Sequence, residues 1–334
     1  QDMGIPSRSW LGWQIPIKTD SAHGSARIQE IPHGQFVERV KGGEVAVVAG
    51  FQGLSEENRI TTFGRGGSDT SAVALAASLG ADRCDIYTDV DGVYTSDPRI
   101  VQKAQRLDRI SYEEMLEMAS LGAKVLQTRS VELAMVHNVR IQVRSSFENP
   151  EECEPATDGA WTGSGTLVCD EDEIVEKQIV SGIAYTKDEA KVTLLKVADK
   201  PGVAASVFGP LADASINVDM IVQNVSDDGN YTDMTFTVMS NDLDKTLKVI
   251  EAARSEIGYS DIKGSTDVVK VSIIGVGMRS HAGVAAKMFQ ALAEKGINIQ
   301  AITTSEIKVS ILIDSAYTEL AVRTLHSLYD LDAA

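Results

Sequence analysis

The sequence predicts an α/β protein built from a sheet with helices on both faces, followed by two copies of a βαββαβ unit. Three observations lead to this prediction. A glycine-rich turn at 64–67 opens a helix of small residues, and a short strand follows it. Two stretches of the C-terminal half repeat each other, and an acidic stretch at 148–176 precedes them. The 334 residues are enough for about two domains of ordinary size.

Composition and charge restrict the classes of partner. A hydrophobic content of 43% and a charged content of 24% are ordinary for a soluble globular protein. The net charge of −17 argues against a nucleic-acid or anionic-membrane partner, and no apolar run reaches transmembrane length. The three cysteines, Cys84, Cys153 and Cys169, are widely spaced, which predicts reduced thiols, no metal site and a cytoplasmic location.

Residues 1–24 carry no motif whose function can be predicted. The next predicted elements are a short helix at 35–41 and a buried parallel strand at 44–49. The strand is predicted because 44–49 is a run of small and β-branched residues. Glycines at 50 and 53 follow this strand. They are compatible with a plain turn and with close approach of a ligand, so both interpretations stay open.

The glycine-rich turn is the first candidate site. Its glycines let backbone amides approach an anion closely. Ser68 and Asp69 are good N-caps, which predicts that the helix begins there with its positive end at the turn. Arg65 adds a guanidinium suited to a carboxylate or phosphate. Taken alone, Gly-Arg-Gly-Gly is more often just a turn.

A second polar loop follows the strand predicted at 84–87. Ligands bind where polar loops follow neighbouring strands of an α/β sheet, so a second loop strengthens the case for a site. Its hydroxyl, carboxylate, aromatic and guanidinium groups belong to Thr88, Asp89, Tyr94, Asp97 and Arg99.

Further elements follow in order. A helix from Ser111 places Met115, Met118 and Leu121 inward, and these methionines are predicted to belong to the core. A helix at 130–137 and an alternating strand at 140–145 come next. The stretch 148–176 contains many acidic residues with no lysine or arginine, which predicts a solvated linker.

Beyond that linker lies an internal repeat. Two segments align with each other: KVTLLKVADKPGVAASVFGPLADASINV and KVSIIGVGMRSHAGVAAKMFQALAEKGINI. Gly202 matches Gly283 and Asn217 matches Asn298, and the members of both pairs are the same number of residues apart. Each copy reads strand, helix, strand, strand, helix, the start of a ferredoxin-like βαββαβ fold. The second copy lacks its last strand. The strand-like stretch 178–185 is predicted to supply it, leaving the first copy inserted within the second.

Three segments resemble the signatures of the aspartokinase family of the amino acid kinase superfamily: FGRGGSDTSAVALA, YTDVDGVYTSDPR and LGAKVLQTRSVELA. The resemblance runs from about Ser25 to the C-terminus, and Gln127-Thr128 departs from the His-Pro of many members. It implies an amino acid kinase-type sheet, aspartate contacts from Arg65, Gly66, Gly67 and Ser68, and a catalytic role for Asp69. The implied nucleotide contacts are Thr88, Asp89, Tyr94, Asp97, Arg99, Lys124 and Val125.

The repeats resemble ACT domains, which bind small amino acids. In each copy a glycine precedes a helix whose free amides suit a carboxylate, and polar groups lie across the sheet. For any single one of these groups an ordinary cap is the commoner role, and their recurrence in both copies favours a ligand. The predicted effector contacts are Asp199, Gly202, Val203, Ala204, Asn217, Gln223, Ser280, Gly283, Val284, Asn298, Thr304, Ser305 and Glu306.

The resemblance therefore implies four regions: the C-terminal part of a kinase domain (1–147), an acidic linker (148–176), a first ACT domain (177–263) and a second (264–334). It implies phosphorylation of L-aspartate by ATP with Mg²⁺ at the head of lysine, threonine and methionine synthesis. It also implies feedback by lysine or threonine and a homo-oligomer formed through the ACT domains.

Two alternatives from other classes remain open. One is a different amino acid kinase, acting on glutamate or a nucleotide, and the other is a regulatory amino-acid-binding module without activity. The chain begins at Gln1, and the resemblance implies a preceding strand with a Lys-Phe-Gly-Gly-Thr type motif. We expect a chain that truly begins at Gln1 to have little kinase activity, because that lysine would stabilise the transferring phosphoryl group.

Overall fold

A computed structural model describes residues 2–31, 34–123, 125–149, 164–174, 178–225 and 230–332. The chain forms two compact units. The first comprises Gln1–Thr95 and Gln105–Lys177, and the second comprises Ser96–Ala104 and Gln178–Ala334. The short segment Ser96–Ala104 thus lies in the second unit although its neighbours in sequence lie in the first, which the sequence did not predict.

The first unit is mixed α/β. Its strands are β1 (Ser7–Trp10), β2 (Lys18–Thr19), β3 (Ile28–Glu30), β4 (Val45–Val48), β5 (Gln52–Ser55), β6 (Ile60–Thr62), β7 (Cys84–Thr88), β8 (Arg109–Ser111), β9 (Ile141–Ser145) and β10 (Thr166–Cys169). Its helices are α1 (Gln35–Lys41), α2 (Gly67–Leu79), α3 (Tyr112–Ser120) and α4 (Thr128–His137). The main sheet has the strand order β7-β9-β10-β8, a second sheet has the order β3-β2-β5-β6, and β1 pairs with β4.

Helix α3 shows how local sequence sets this core. Ser111 caps the helix, and Glu114 completes a capping box by accepting from the Ser111 backbone amide. Met115, Met118 and Leu121 are buried, as the helical spacing predicts. The prediction that these methionines belong to the core is confirmed.

Two predictions for this unit are wrong. Strand β4 pairs in parallel with β1 as expected, but it is not buried, since Val45 and Val47 are 49% and 60% exposed. The stretch 148–176 is not a solvated linker throughout. Thr166–Cys169 forms the buried strand β10, which pairs with β8 and β9 in the main sheet. Residues 150–163 and 175–177 of that stretch lie outside the described residues.

The second unit holds both repeat copies. Its strands are β11 (Gly182–Thr186), β12 (Ala190–Ala198), β13 (Val218–Val225), β14 (Tyr231–Val238), β15 (Asp261–Ser265), β16 (Val268–Ile274), β17 (Ile299–Thr304) and β18 (Lys308–Asp314). Its helices are α5 (Val203–Asp213), α6 (Leu243–Ala252), α7 (Arg254–Ile257), α8 (Val284–Glu294) and α9 (Thr318–Leu328). The second predicted helix of the first copy is therefore two helices, α6 and α7.

Each copy forms its own four-stranded antiparallel sheet. The first has the strand order β13-β14-β12-β15, and the second has the order β11-β16-β18-β17. Strand β11 pairs with β16, with Gly182 opposite Ile274 and Thr186 opposite Lys270. This is the pairing that the sequence predicted for 178–185, so the first copy is inserted in the chain between two strands of the second.

The two copies also pack against each other. Met220 of β13 shares a buried apolar cluster with Ala301 of β17 and with Val268 and Leu312 of the second sheet. Beside them the Lys270 ammonium contacts Glu189 and Asp219 of the first copy. Apolar burial and an ion cluster thus join the two sheets.

Candidate functional site

The glycine-rich turn is a constrained structure. Gly64 and Gly66 have φ values of 82° and 67°, in the left-handed region that glycine adopts without strain. Gly66 is also the N-cap of α2. A Cβ atom at Gly66 would overlap the side chain of Gln127. Glycine is therefore required here by both backbone geometry and space.

The turn is supported from the end of β4. A Cβ atom at Gly67 would come within 2.9 Å of Phe51 and Phe63. The Phe51 amide donates to the Ser71 hydroxyl at 3.1 Å, and that hydroxyl donates to the Ser68 carbonyl at 2.8 Å. Phe51 itself has a φ of 69°, a strained value that is common at functional sites. The loop after β4 and the start of α2 thus form one packed structure.

The predicted N-caps are not the caps. Ser68 and Asp69 lie in the first turn of α2, because the helix begins at Gly67 with no side-chain cap. No side chain occupies the amides at this helix end, although the Gly67 amide donates to the Gly64 carbonyl at 3.1 Å. The helix dipole favours an anion there.

The charges at this turn suit an anionic ligand. Arg65 is exposed and, within the described residues, has no ion-pair partner. Asp69 is half-buried, and desolvation raises the pKa of its carboxyl despite a hydrogen bond from the Ser68 hydroxyl at 3.3 Å. A free guanidinium beside amides can hold a carboxylate or phosphate. The arrangement therefore suits an anion and places one carboxylate, that of Asp69, beside it.

The second polar loop begins where β7 ends. The Thr88 hydroxyl donates to Asp89 at 3.2 Å, and the Tyr94 hydroxyl donates to Asp91 at 3.1 Å. Arg106 lies 3.4 Å from the same Asp91 carboxylate. Burial, followed by the hydrogen bond to Asp91, raises the pKa of Tyr94, so its phenol stays a donor at neutral pH.

This loop is anchored to the strand that sequence reasoning missed. The buried Thr166 hydroxyl of β10 accepts from the Val93 amide at 2.8 Å and donates to the Leu107 carbonyl at 2.6 Å. Residues 93–95 and 105–107 face each other in a short ladder that includes a bridge between Tyr94 and Arg106. One hydroxyl thus fixes both sides of the ladder.

The predicted nucleotide contacts fall into different parts of the chain. Thr88, Asp89 and Tyr94 share this loop in the first unit, whereas Asp97 and Arg99 belong to the second unit. Lys124 lies outside the described residues, and Val125, just after it, is half-buried.

Across the described residues, no group of three or more His, Cys, Asp or Glu side chains is placed to hold a metal ion. Nor does any helix in those residues have the length and apolarity to cross a bilayer. Cys84 and Cys169 are buried free thiols, and desolvation raises their pKa to about 12 and about 11. They are therefore poor nucleophiles.

The predicted effector groups recur at equivalent places in both copies. Gly202 and Gly283 are the N-caps of α5 and α8, with φ values of 93° and 89°, and neither helix has a side-chain cap. Exposed polar side chains lie on or beside the neighbouring edge strands β13 and β17. They are Asn217, Gln223, Asn298 and Thr304.

Some predicted effector contacts are already engaged. The Ser280 hydroxyl donates to the Gly277 carbonyl at 3.2 Å, and Glu306 lies 3.6 Å from Arg279. Val203 and Val284 are buried, so their side chains are not candidates for contact, and the Val203 amide already donates to the Lys200 carbonyl at 3.1 Å. Four further predicted positions are also exposed: Asp199, Ala204, Ser305 and Glu306.

Comparison with known proteins identifies the family. The amino acid kinase family model matches residues 1–145, and ACT domain models match 191–255 and 271–329. The aspartate kinase Ask_LysC of Stutzerimonas stutzeri is 55% identical over 331 residues, covering 99% of this chain and 77% of that protein. The chain belongs to the aspartokinase family.

Other members agree with this assignment. The aspartokinase of Corynebacterium glutamicum is 46% identical over 99% of this chain and 76% of its own length. The structure of E. coli aspartokinase III with aspartate and ADP matches with a TM-score of 0.75 at 26% identity, covering 98% of this chain and 70% of that one. The family's fold, an amino acid kinase domain followed by two ACT domains, is thus the fold of this chain.

The structure adds residues that motif matching missed in this family member. Gln127 packs against Gly66, and Phe51 packs against Gly67 in a strained conformation. Thr166 fixes the second loop. The Gly50-Phe51 strand end was a weak signal for Phe51, and the departure from the family motif at Gln127-Thr128 was one for Gln127. Thr166 carried no signal, since it acts through contacts distant in sequence.

Proposed function

We propose that this aspartokinase family member transfers the γ-phosphoryl group of ATP to the side-chain carboxylate of L-aspartate, giving 4-phospho-L-aspartate. The observation that carries the proposal is the start of α2. No side chain caps this helix start, and the exposed Arg65 and the half-buried Asp69 lie at a glycine turn against which Gln127 and Phe51 pack. The complex of E. coli aspartokinase III with aspartate and ADP supports this choice of substrates.

In this proposal the turn binds aspartate. Arg65, Gly66, Gly67 and Ser68 contact the substrate, with the Arg65 guanidinium and the helix dipole attracting its carboxylates. Asp69 organises the catalytic centre. No general base is required, because the attacking carboxylate is already ionised at neutral pH. The protein's task is to hold two anions in line and to neutralise charge at the transferring group.

The nucleotide is proposed to bind at the second loop. ATP carries Mg²⁺, which typically takes one or two carboxylates together with phosphate oxygens. The ion would neutralise charge on the phosphates. The proposed nucleotide contacts are Thr88, Asp89, Tyr94, Asp97, Arg99, Lys124 and Val125.

Lysine or threonine is proposed as the feedback effector at the ACT copies, in a cytoplasmic pathway leading to lysine, threonine and methionine. The uncapped helix starts after Gly202 and Gly283 would take the amino acid's carboxylate, and Asn217 and Gln223 its polar groups. The complex of E. coli aspartokinase III with lysine supports the ligand class. Association of chains through the ACT domains belongs to the same proposal.

Calorimetry with each amino acid tests the effector proposal. We expect binding by the intact protein, and its loss in Asn217→Ala or Gln223→Ala. Inhibition further requires that the effector prefer the low-activity state by about 1 to 3 kcal/mol. No binding at millimolar lysine or threonine, alone or together, would remove this part of the proposal.

The substrate proposal is tested by equilibrium dialysis with labelled L-aspartate and ATP, together with ³¹P NMR of the mixture. We expect saturable binding of both ligands and an acyl-phosphate signal that depends on aspartate. Equal binding of L-glutamate would favour a different amino acid kinase. Amino-acid binding without any ATP binding would favour a purely regulatory protein.

A further inference from the structure

The segment Ser96–Ala104 belongs to the second unit, the regulatory unit, which holds both ACT copies. Ile100 and Val101 are 7% and 5% exposed and belong to the same core cluster as Val271 of β16 and Leu325 of α9. On either side of the segment, Thr95 and Gln105 pair through a backbone hydrogen bond of 2.8 Å in the first unit. The tip of the second polar loop is thus part of the second ACT core.

Polar contacts from three elements hold the segment. The Tyr185 hydroxyl of β11 donates to Asp97 at 3.2 Å. Arg323 of α9 donates to the Ile100 carbonyl at 2.8 Å. Beyond α9, Asp332 forms a bridge with Ala104. The segment is therefore fixed along its whole length by residues of the second ACT copy.

The contact at Tyr185 reaches a proposed nucleotide ligand. Asp97 accepts from the Arg99 amide at 2.9 Å and from its Nε and Nη2 atoms at 3.0 Å each. The Arg99 side chain is 89% exposed, so its direction depends on this fork. A continuous chain of hydrogen bonds leads from β11 through Asp97 to the Arg99 guanidinium.

The ionisation states favour this chain at neutral pH. Hydrogen bonding from Arg99 lowers the pKa of Asp97, with a smaller contribution from Tyr185. Burial, followed by the nearby Asp97 charge, raises the pKa of Tyr185. The phenol therefore stays a donor and the carboxylate an acceptor, which is the pairing that the geometry requires.

We propose that Tyr185 is a positioning residue for nucleotide binding, which acts by orienting Arg99 through Asp97. The inference rests on the proposed nucleotide role of Arg99. The same chain of hydrogen bonds connects the second ACT copy to Arg99. Strand β11 pairs along its length with β16, the strand that leads toward the predicted effector turn at Ser280 and Gly283.

Tyr185→Phe in the full chain tests the proposal, because it removes only the hydroxyl and keeps the packed ring. We expect the dissociation constant for ATP, measured by calorimetry, to rise by about 3- to 10-fold, and that for aspartate to change by less than about twofold. Tyr259→Phe is the matched control. It removes a phenol that donates to the Glu251 carboxylate at 2.6 Å in the first copy, and it should leave ATP binding unchanged.

The double variant Tyr185→Phe/Arg99→Ala completes the test. If Tyr185 acts through Arg99, the double variant binds ATP no more weakly than Arg99→Ala alone. Additive losses, or equal losses in Tyr185→Phe and Tyr259→Phe, would overturn the inference. An effect of Arg99→Ala with none of Tyr185→Phe would overturn it while leaving the proposed function intact. No effect of Arg99→Ala on ATP would instead refute the nucleotide assignment itself.

Discussion

Replacing Lys270 with methionine should strongly destabilise the regulatory unit. Lys270 lies in β16, at the centre of the second ACT sheet, and its side chain is 6% exposed. Its ammonium lies 2.5 Å from the Glu189 carboxylate and also contacts Asp219. Both acids belong to the first ACT copy, so one buried cation joins the two copies.

The magnitude follows from what remains after the substitution. Glu189 has a side chain that is 8% exposed and would lose its charge partner. Removing one member of a buried ion pair costs about 3 to 5 kcal/mol. Asp219 is 58% exposed, so solvent screens it and it adds little. For a unit of this size, the melting temperature should fall by about 6 to 20 °C.

Differential scanning calorimetry of the full chain measures this effect. The double variant Lys270→Met/Glu189→Gln should recover more than half of the loss, because the stranded charge is gone. Lys191→Met is the control, since Lys191 also joins the copies, through Gln300, but in an exposed hydrogen bond. A loss in Lys270→Met no larger than in Lys191→Met, or no recovery in the double variant, would refute the reasoning.

The same cluster predicts a pH dependence. Burial by itself would lower the pKa of Lys270, but the charges and hydrogen bonds of Glu189 and Asp219 raise it above its ordinary value of 10.5. A lysine whose pKa is higher in the folded state than in the unfolded state stabilises the fold at pH values below its unfolded-state pKa. That contribution is lost as the pH rises through its folded-state pKa. The difference in free energy of unfolding between wild type and Lys270→Met/Glu189→Gln should therefore stay constant from about pH 7 to 9. It should shrink only above about pH 10.5.

Two further predictions concern the first unit. Gly66→Ala should weaken aspartate binding about tenfold or more in a titration, because its Cβ would overlap Gln127. Gly80 has a similar φ of 61° and open space where a Cβ atom would lie. Gly80→Ala should therefore cost only the left-handed backbone strain of about 1 to 2 kcal/mol. Equal losses of aspartate binding in the two variants would contradict this prediction. Thr166→Val should destabilise the first unit by about 1 to 3 kcal/mol in denaturant titrations, because it leaves the buried Val93 amide unpaired; an unchanged midpoint would contradict it.

The regulatory unit could be predicted from sequence because its signals are local and repeated. The match between Gly202 and Gly283 fixed the register of the two copies, and helical spacing marked their apolar faces. A ferredoxin-like sheet needs four strands, so the missing strand of the second copy pointed to 178–185, where β11 lies. Counting strands was sufficient here, because the fold leaves few alternatives.

Features that depend on distant contacts could not be predicted. Strand β10 is four residues, Thr166–Cys169, within an acidic stretch, and the average composition concealed it. Ile100 and Val101 carry no local sign that they pack in the second unit. The helix start at Gly67 differs from the predicted cap because packing against Phe51 and Phe63 fixes the turn, overriding the capping preference of Ser68.

The central claim is that the two loops divide the substrates, with Arg65 binding aspartate and Arg99 binding the nucleotide. Dissociation constants for both ligands, measured by calorimetry for Arg65→Ala and Arg99→Ala, test it most directly. The hydrogen bonds of a guanidinium to an anion contribute about 1.5 to 3 kcal/mol of binding free energy. The dissociation constant of each variant should therefore rise at least about tenfold for its own ligand and by less than about threefold for the other. Equal losses for aspartate and ATP in either variant would contradict the claim.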